Sequence, residues 1–136
     1  MRKLFYLLNI TWGLPMTIIG AIAALGLLAV GKRHERYGDC MCFTVGKKGW
    51  GGVSLGMVML VAPESTTHTK NHEHGHAVQN ALYGMFMPFI VSIPSAARYQ
   101  SRKGKDRATL PPYDAVWFEG QATDWGTKYI DYVNRH

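Results

Sequence analysis

His72, Glu73 and His76 stand in the pattern H-E-x-x-H. On a helix, residues four apart share a face, so His72 and His76 can turn both imidazoles toward one metal ion. Glu73 lies about a quarter turn away, where it can act on a water held by that metal. The chemistry this spacing suits is zinc-dependent hydrolysis, most naturally of a peptide bond. A histidine-rich helix start without function is the bland alternative. Context weighs against it: a strand-like segment precedes the motif, a helix-like one follows, and a suitable third ligand lies downstream.

A catalytic zinc takes three protein ligands and keeps one position for water. The other histidines are His34, His68, His74 and His136, and His74 points off the ligand face. The stronger third ligand is Glu119, set between Trp117-Phe118 and Ala122. A glutamate with those flanks is not expected on a fully solvated face. Asp114 and Asp124 are the runners-up. Cys40 and Cys42 stand two apart and read as ordinary strand residues. A disulfide between them would be strained and would close too small a loop to matter.

The elements that must position these groups follow in order. Residues 4–30 carry no charge and are long enough for a hydrocarbon core of about 30 Å, longer than the apolar part of a signal peptide. They predict an uncleaved membrane anchor over 1–31, with 32–136 as the catalytic domain. A polar linker, GKRHERYGD, comes next. Residues 40–45 and 52–61 are β-prone around the turn signal Gly46-Lys47-Lys48-Gly49, which predicts a β-hairpin over 40–61 with an edge strand at 53–61. Gly56 predicts a bulge or a close backbone approach. Ser and Thr within 64–70 supply N-caps for a helix starting near Thr67–Thr69. That helix runs into an apolar stretch, 77–97, kinked or ended by Pro88 and Pro94 and expected to be membrane-embedded or interfacial. A final helix or helices over 113–133 is weakened at Gly120 and Gly126. The fold class is α+β.

The net charge of +6 is clustered at Arg2-Lys3, at Lys32, Arg33 and Arg36, and at Arg98, Arg102, Lys103, Lys105 and Arg107. No aromatic–basic interleaving or recognition motif accompanies it, so nucleic acid is not an expected partner. Basic residues flanking apolar segments suit anionic lipid headgroups.

H-E-x-G-H followed by E-x-x-A-x-x-x-G resembles the gluzincin metallopeptidases. It is most similar to the membrane-bound group that holds the CAAX prenyl protease, the heat-shock membrane proteases and the antibiotic-sensor peptidases. His72, Glu73, Gly75 and His76 carry the first motif, and Glu119, Ala122 and Gly126 the second. The resemblance implies a minimal zincin-like fold, a Zn2+ cofactor on His72, His76 and Glu119, and Glu73 as general base. It implies a peptide or protein substrate, and 53–61 as the edge strand that binds it. The family has Asp directly after that Ala. Here Thr123 stands there and Asp124 follows, so either can orient an imidazole. Tyr113, Tyr129, Tyr132, Arg135 and His136 are the oxyanion candidates. The expected location is a membrane, taken as the bacterial cytoplasmic membrane. Two other classes satisfy the same residues: a structural zinc protein, with His74 or a cysteine as fourth ligand, and a small envelope or phage membrane protein with a fortuitous motif.

Overall fold

A computed structural model describes residues 2–103, 109–112 and 115–135. Lys105, Arg107, Tyr113, Asp114 and His136, all singled out above, lie outside the described residues. The fold is α+β. Its helices are α1 (Arg2–Ile10), α2 (Leu14–Ala29), α3 (Thr67–Tyr83), α4 (Ile93–Arg102) and α5 (Trp117–Arg135). Its strands are β1 (His34–Tyr37), β2 (Cys40–Thr44), β3 (Gly52–Leu55) and β4 (Val58–Val61), in the sheet order β1-β2-β4-β3.

The single anchor helix expected over 4–30 is two helices, α1 and α2, bent by 89°. No single helix among the described residues is long and apolar enough to cross a membrane. Pro15 opens α2, and its ring and missing N–H prevent α1 from running on. The Thr17 hydroxyl takes up the carbonyl of Asn9 at 2.7 Å, one of those left over where α1 ends. A buried amide pair then holds the corner, with Asn80 Nδ2 donating to Asn9 Oδ1 at 2.6 Å and to the Gly13 carbonyl at 3.1 Å. Phe5 of this segment lies in one core with Cys40, Cys42, Met59, Ala77 and Tyr129. Ala24 packs with Phe43 and Val58.

The expected 40–61 hairpin is also corrected. β2 and β4 pair in parallel, with Met41 opposite Val58 and Thr44 opposite Val61. Two separate hairpins surround that pair, β1 with β2 and β3 with β4. The second turns at Gly56-Met57, where Gly56 has φ +65°. A two-residue hairpin needs a positive φ at its first central position, which glycine adopts without strain. The 53–61 stretch is therefore the edge strand β3, a turn and the interior strand β4. β1 falls inside the expected polar linker. Its first three residues are exposed, so no apolar alternation marked it.

α3 starts where the threonines predict. The Thr66 side chain caps it by accepting from the Thr69 N–H at 3.3 Å. It stops at Gly84, in the left-handed region at φ +57°. A 3-10 turn (Gly84–Phe86) and a π-helical turn (Pro88–Ser92) then lead into α4 through a 117° bend. α5 is one unbroken helix. Gly126 does not weaken it. Gly126 is where α3 and α5 meet, antiparallel, and a Cβ there would fall 1.7 Å from the Asn71 carbonyl oxygen. One turn along, a Cβ on Gly75 would fall 1.7 Å from the carbonyl oxygen of Ala122.

Asp39, at the β1–β2 turn, ties the N-terminus to the rest. Its buried carboxylate accepts from Arg2 at 2.7 Å, Arg36 at 3.1 Å, Tyr6 at 2.9 Å and Tyr129 at 2.7 Å. Burial alone would raise its pKa. The hydrogen bonds, Arg2 foremost, overcome that and hold it well below the usual carboxylate range.

Two predictions follow from the packing and from this ion cluster. Gly126→Ala should destabilise the protein by about 2–3 kcal/mol or more, because backbone rather than a mobile side chain fills the space. Gly26→Ala, in α2 with nothing within 4 Å, should be neutral or gain up to about 1 kcal/mol. Thermal melts of both variants check the contrast. For Asp39, a folded pKa below the unfolded one contributes stability that is present above about pH 4 and lost as pH falls further. The Tm gap between the parent and Asp39→Asn should be widest near neutrality and shrink below about pH 4. A gap independent of pH would remove the charged network from the account of stability.

Candidate metal centre

α3 presents His72 and His76 on one face, and α5 brings Glu119 opposite them. His76 Nε2 lies 3.2 Å from Glu119 Oε1, and His72 Nε2 lies 3.9 Å from Glu119 Oε2. One donor atom from each residue falls within 4.8 Å of the others, and all three residues are buried. Among the described residues no other group of three metal-ligating side chains converges in this way.

The partners of the two imidazoles set their tautomers. Gln79 Nε2 donates to the Phe118 carbonyl at 2.7 Å and to Gln121 Oε1 at 3.0 Å. Its Oε1 is therefore turned to accept from His76 Nδ1, 2.7 Å away. Thr123 Oγ1 lies 2.8 Å from His72 Nδ1 and donates back to the Glu119 carbonyl at 3.4 Å. Burial lowers the pKa of His76, but Glu119 outweighs that and raises it; with a cation in place of that proton, Nδ1 would keep its hydrogen on Gln79 or Thr123 and Nε2 would offer its lone pair, the arrangement that metal-bound histidines adopt. The Ser95 hydroxyl donates to Glu119 at 3.2 Å.

Glu73 is buried beside this group. Desolvation raises its carboxyl to about 7, with His76 lowering it and the Glu119 charge raising it. Its Oε2 has no hydrogen-bond partner among the described residues. Two buried carboxylates, an orphaned oxygen and two imidazole lone pairs form a donor set that a divalent cation and a water would satisfy. The residues present thus fit a metal ion.

The site opens into a cleft of about 970 Å³. β3 forms one wall, and a Cβ on Gly52 would stand 3.0 Å from Glu73 Cγ. Met16, Leu55, Met87 and Val91 give the cleft an apolar side. Tyr99 donates to the Trp50 carbonyl at 3.0 Å and holds α4 against the start of β3.

The remaining sequence candidates fall elsewhere. Asp124 pairs with Lys128 at 2.9 Å on an exposed face, and Thr123 is the residue against an imidazole. A period of 3.6 explains the difference: Glu119 and Thr123 are four apart and share a face, and Asp124 does not. Tyr129 is spent on Asp39 and packs against His74 with ring centroids 4.9 Å apart. His74 is buried between Tyr129 and Phe5, and its Nε2 accepts from the Asp39 N–H at 3.1 Å. Burial pulls its pKa down to about 4. Cys40 and Cys42 are buried and free, and burial raises both thiols. Gln79 and Ser95 were missed in the sequence. Gln79 carried one signal, since it lies three residues after His76 on the same helix face.

Comparison with protein-family models, with curated proteins and with solved structures finds no match to this chain.

The purified protein should hold about one divalent metal per chain, and His76→Ala should hold none, as read by metal analysis of the folded protein. Thr123→Val and Gln79→Leu remove only the imidazole partners. Each should weaken metal affinity about 10–100-fold without abolishing it. Full occupancy in His76→Ala would remove it from the ligand set.

Proposed function

We propose that this chain is a minimal zinc-dependent peptidase of the gluzincin type. The observation that carries the reading is the convergence of Glu119 on His72 and His76, with Glu73 buried beside them in an open cleft. Two neutral imidazoles and one carboxylate suit zinc, and three protein ligands leave a position for substrate or water. Zinc bound there would supply Lewis acidity toward a peptide carbonyl and toward water.

The protein's own groups divide the remaining work. Glu73 accepts a proton from the attacking water and returns it to the leaving amine. Gln79 and Thr123 hold the imidazoles in the right tautomer. β3 offers an extended peptide a place to pair. The Ala62 N–H donates to the Gly51 carbonyl at 2.8 Å, which makes Gly51/Ala62, Val53/Leu60 and Leu55/Val58 the hydrogen-bonded pairs. The N–H and C=O of Gly52 and Ser54 therefore face the open edge, next to Glu73. A peptide strand added there has main-chain partners, and the apolar wall beyond suits an apolar side chain. Lipid is the second partner we propose, on the outward apolar surfaces of α1 and α2, where Leu7, Ile22 and Leu25 are each more than half exposed.

A structural role for the metal is the second reading. What favours catalysis over it is that His74 and both cysteines, the fourth ligands a structural site would use, are buried in other contacts, while the group opens into a cleft.

Glu73→Gln should lower cleavage of a fluorogenic peptide library by about 10²–10⁴-fold while metal content stays unchanged. Metal bound at full occupancy, with no cleavage by the parent protein, would turn the assignment to the structural reading. Unchanged cleavage in the variant would remove Glu73 from the mechanism.

A further inference from the structure

α1 and α3 run side by side in the same direction. Phe5 stacks on His74, Asn9 donates to the Ala77 carbonyl, and Trp12 Nε1 donates to the Leu82 carbonyl at 3.0 Å. Their bends therefore come at the same level. The Trp12 ring packs against Phe86 with centroids 5.8 Å apart, so the two elbows form one surface. That surface is apolar, with Leu82, Met85, Phe86 and Phe89 all more than half exposed.

Past the elbows both chains turn aside. α2 leaves at 89°, at right angles to the shared axis of α1 and α3. Residues 88–102 leave at 117° and climb back toward the cleft. α2 runs beneath the sheet. A Cβ on Gly56, at the β3–β4 turn, would lie 2.8 Å from Thr17, and Ala24 packs on Phe43 and Val58. Its other side, away from the sheet, carries Ile18, Ile22 and Leu25, the last two 66% and 68% exposed. Lys32 and Arg33 stand three and four residues past the end of α2; Arg98 and Arg102 lie on the climbing part of α4, where each also donates to a carbonyl of Pro111 or Pro112, and Lys103 follows the helix.

We propose that the chain sits in one leaflet of an anionic membrane without crossing it. In this arrangement the two elbows point into the hydrocarbon, α2 lies in the interface plane, and the basic residues meet the headgroups. The proposal rests on the reading above that lipid covers the apolar faces, and it is independent of the metal's role. Right-angled elbows support it over a span, because α2, at 16 residues, covers only about 24 Å and runs across the α1–α3 axis rather than along it. α2 is apolar all round, one side packed on the sheet and the other turned outward, and the lysine and arginine beyond its end suit anionic headgroups.

The test uses the full chain in two parts. It should float with phosphatidylcholine–phosphatidylglycerol vesicles, and Ile22→Glu with Leu25→Glu should lower that binding at least about tenfold with metal content retained. Lys3→Cys and Lys32→Cys, expressed separately, are then treated with a membrane-impermeant maleimide in intact spheroplasts and after lysis. The parent, whose cysteines are buried, is the blank. The two positions should behave alike, both labelled or both protected. Opposite behaviour would overturn the single-leaflet arrangement and leave the lipid reading standing. A protein that stays in the aqueous fraction, as a monomer or as a dimer covering its own apolar face, would overturn both.

Discussion

The backbones of α3 and α5 approach so closely at Gly75, Ala122 and Gly126 that no larger side chain fits between them. Everything at the site depends on this contact. Glycine opposite a carbonyl lets two helices pack at backbone distance, and that distance decides whether side chains one turn away can meet. Glu119 lies one turn from Ala122, and His72 and His76 flank Gly75. The small residues thus set the spacing, and the ligands inherit it. Gly126 would be a poor choice for an isolated helix, costing about 1 kcal/mol relative to alanine. Its place here is set by what it touches.

A second set of constraints fixes this helix pair against the sheet and the N-terminus. It is polar and buried, and its members hydrogen-bond to one another, although His74 Nδ1 and Asn80 Oδ1 have no partner among the described residues. Asp39 gathers two arginines and two tyrosines, and its own N–H closes on His74. Asn9 and Asn80 close the α1–α3 corner. Buried polar groups cost about 1–3 kcal/mol each when unpaired, so these partners hold only in one arrangement of the helices. His74 lies outside the His72–His76–Glu119 group. It is a buried neutral imidazole that reports the same arrangement from the other side of α3.

The two faces of α3 therefore have different electrostatic tasks. On one, charge is neutralised within the protein by Arg2 and Arg36. On the other, Glu73 and Glu119 are buried beside two imidazoles, and the donor set could hold a cation. The outward surface divides again, into the apolar elbows and α2 on one side and the open edge of β3 with the cleft on the other.

The sequence alone determined what local spacing can encode. H-E-x-x-H on a threonine-capped helix is a matter of residues four apart, and the α+β class follows from the succession of apolar patterns. Glu119 was legible from its flanks and its motif. What depends on residues distant in the chain was not. Asn9 reads as one polar residue in an apolar run until Asn80 meets it, and so the 4–30 segment reads as one helix. β1 is exposed and shows no alternation until β2 pairs with it. The parallel pairing of β2 with β4 leaves no trace in either strand, because a strand's pattern records which face is buried and not which neighbour it has. Thr123, Gln79 and Ser95 acquire their roles only when α3, α4 and α5 are brought together. Local periodicity is carried by covalent neighbours. Close approach, register and the partner of a buried polar group are properties of the packed chain.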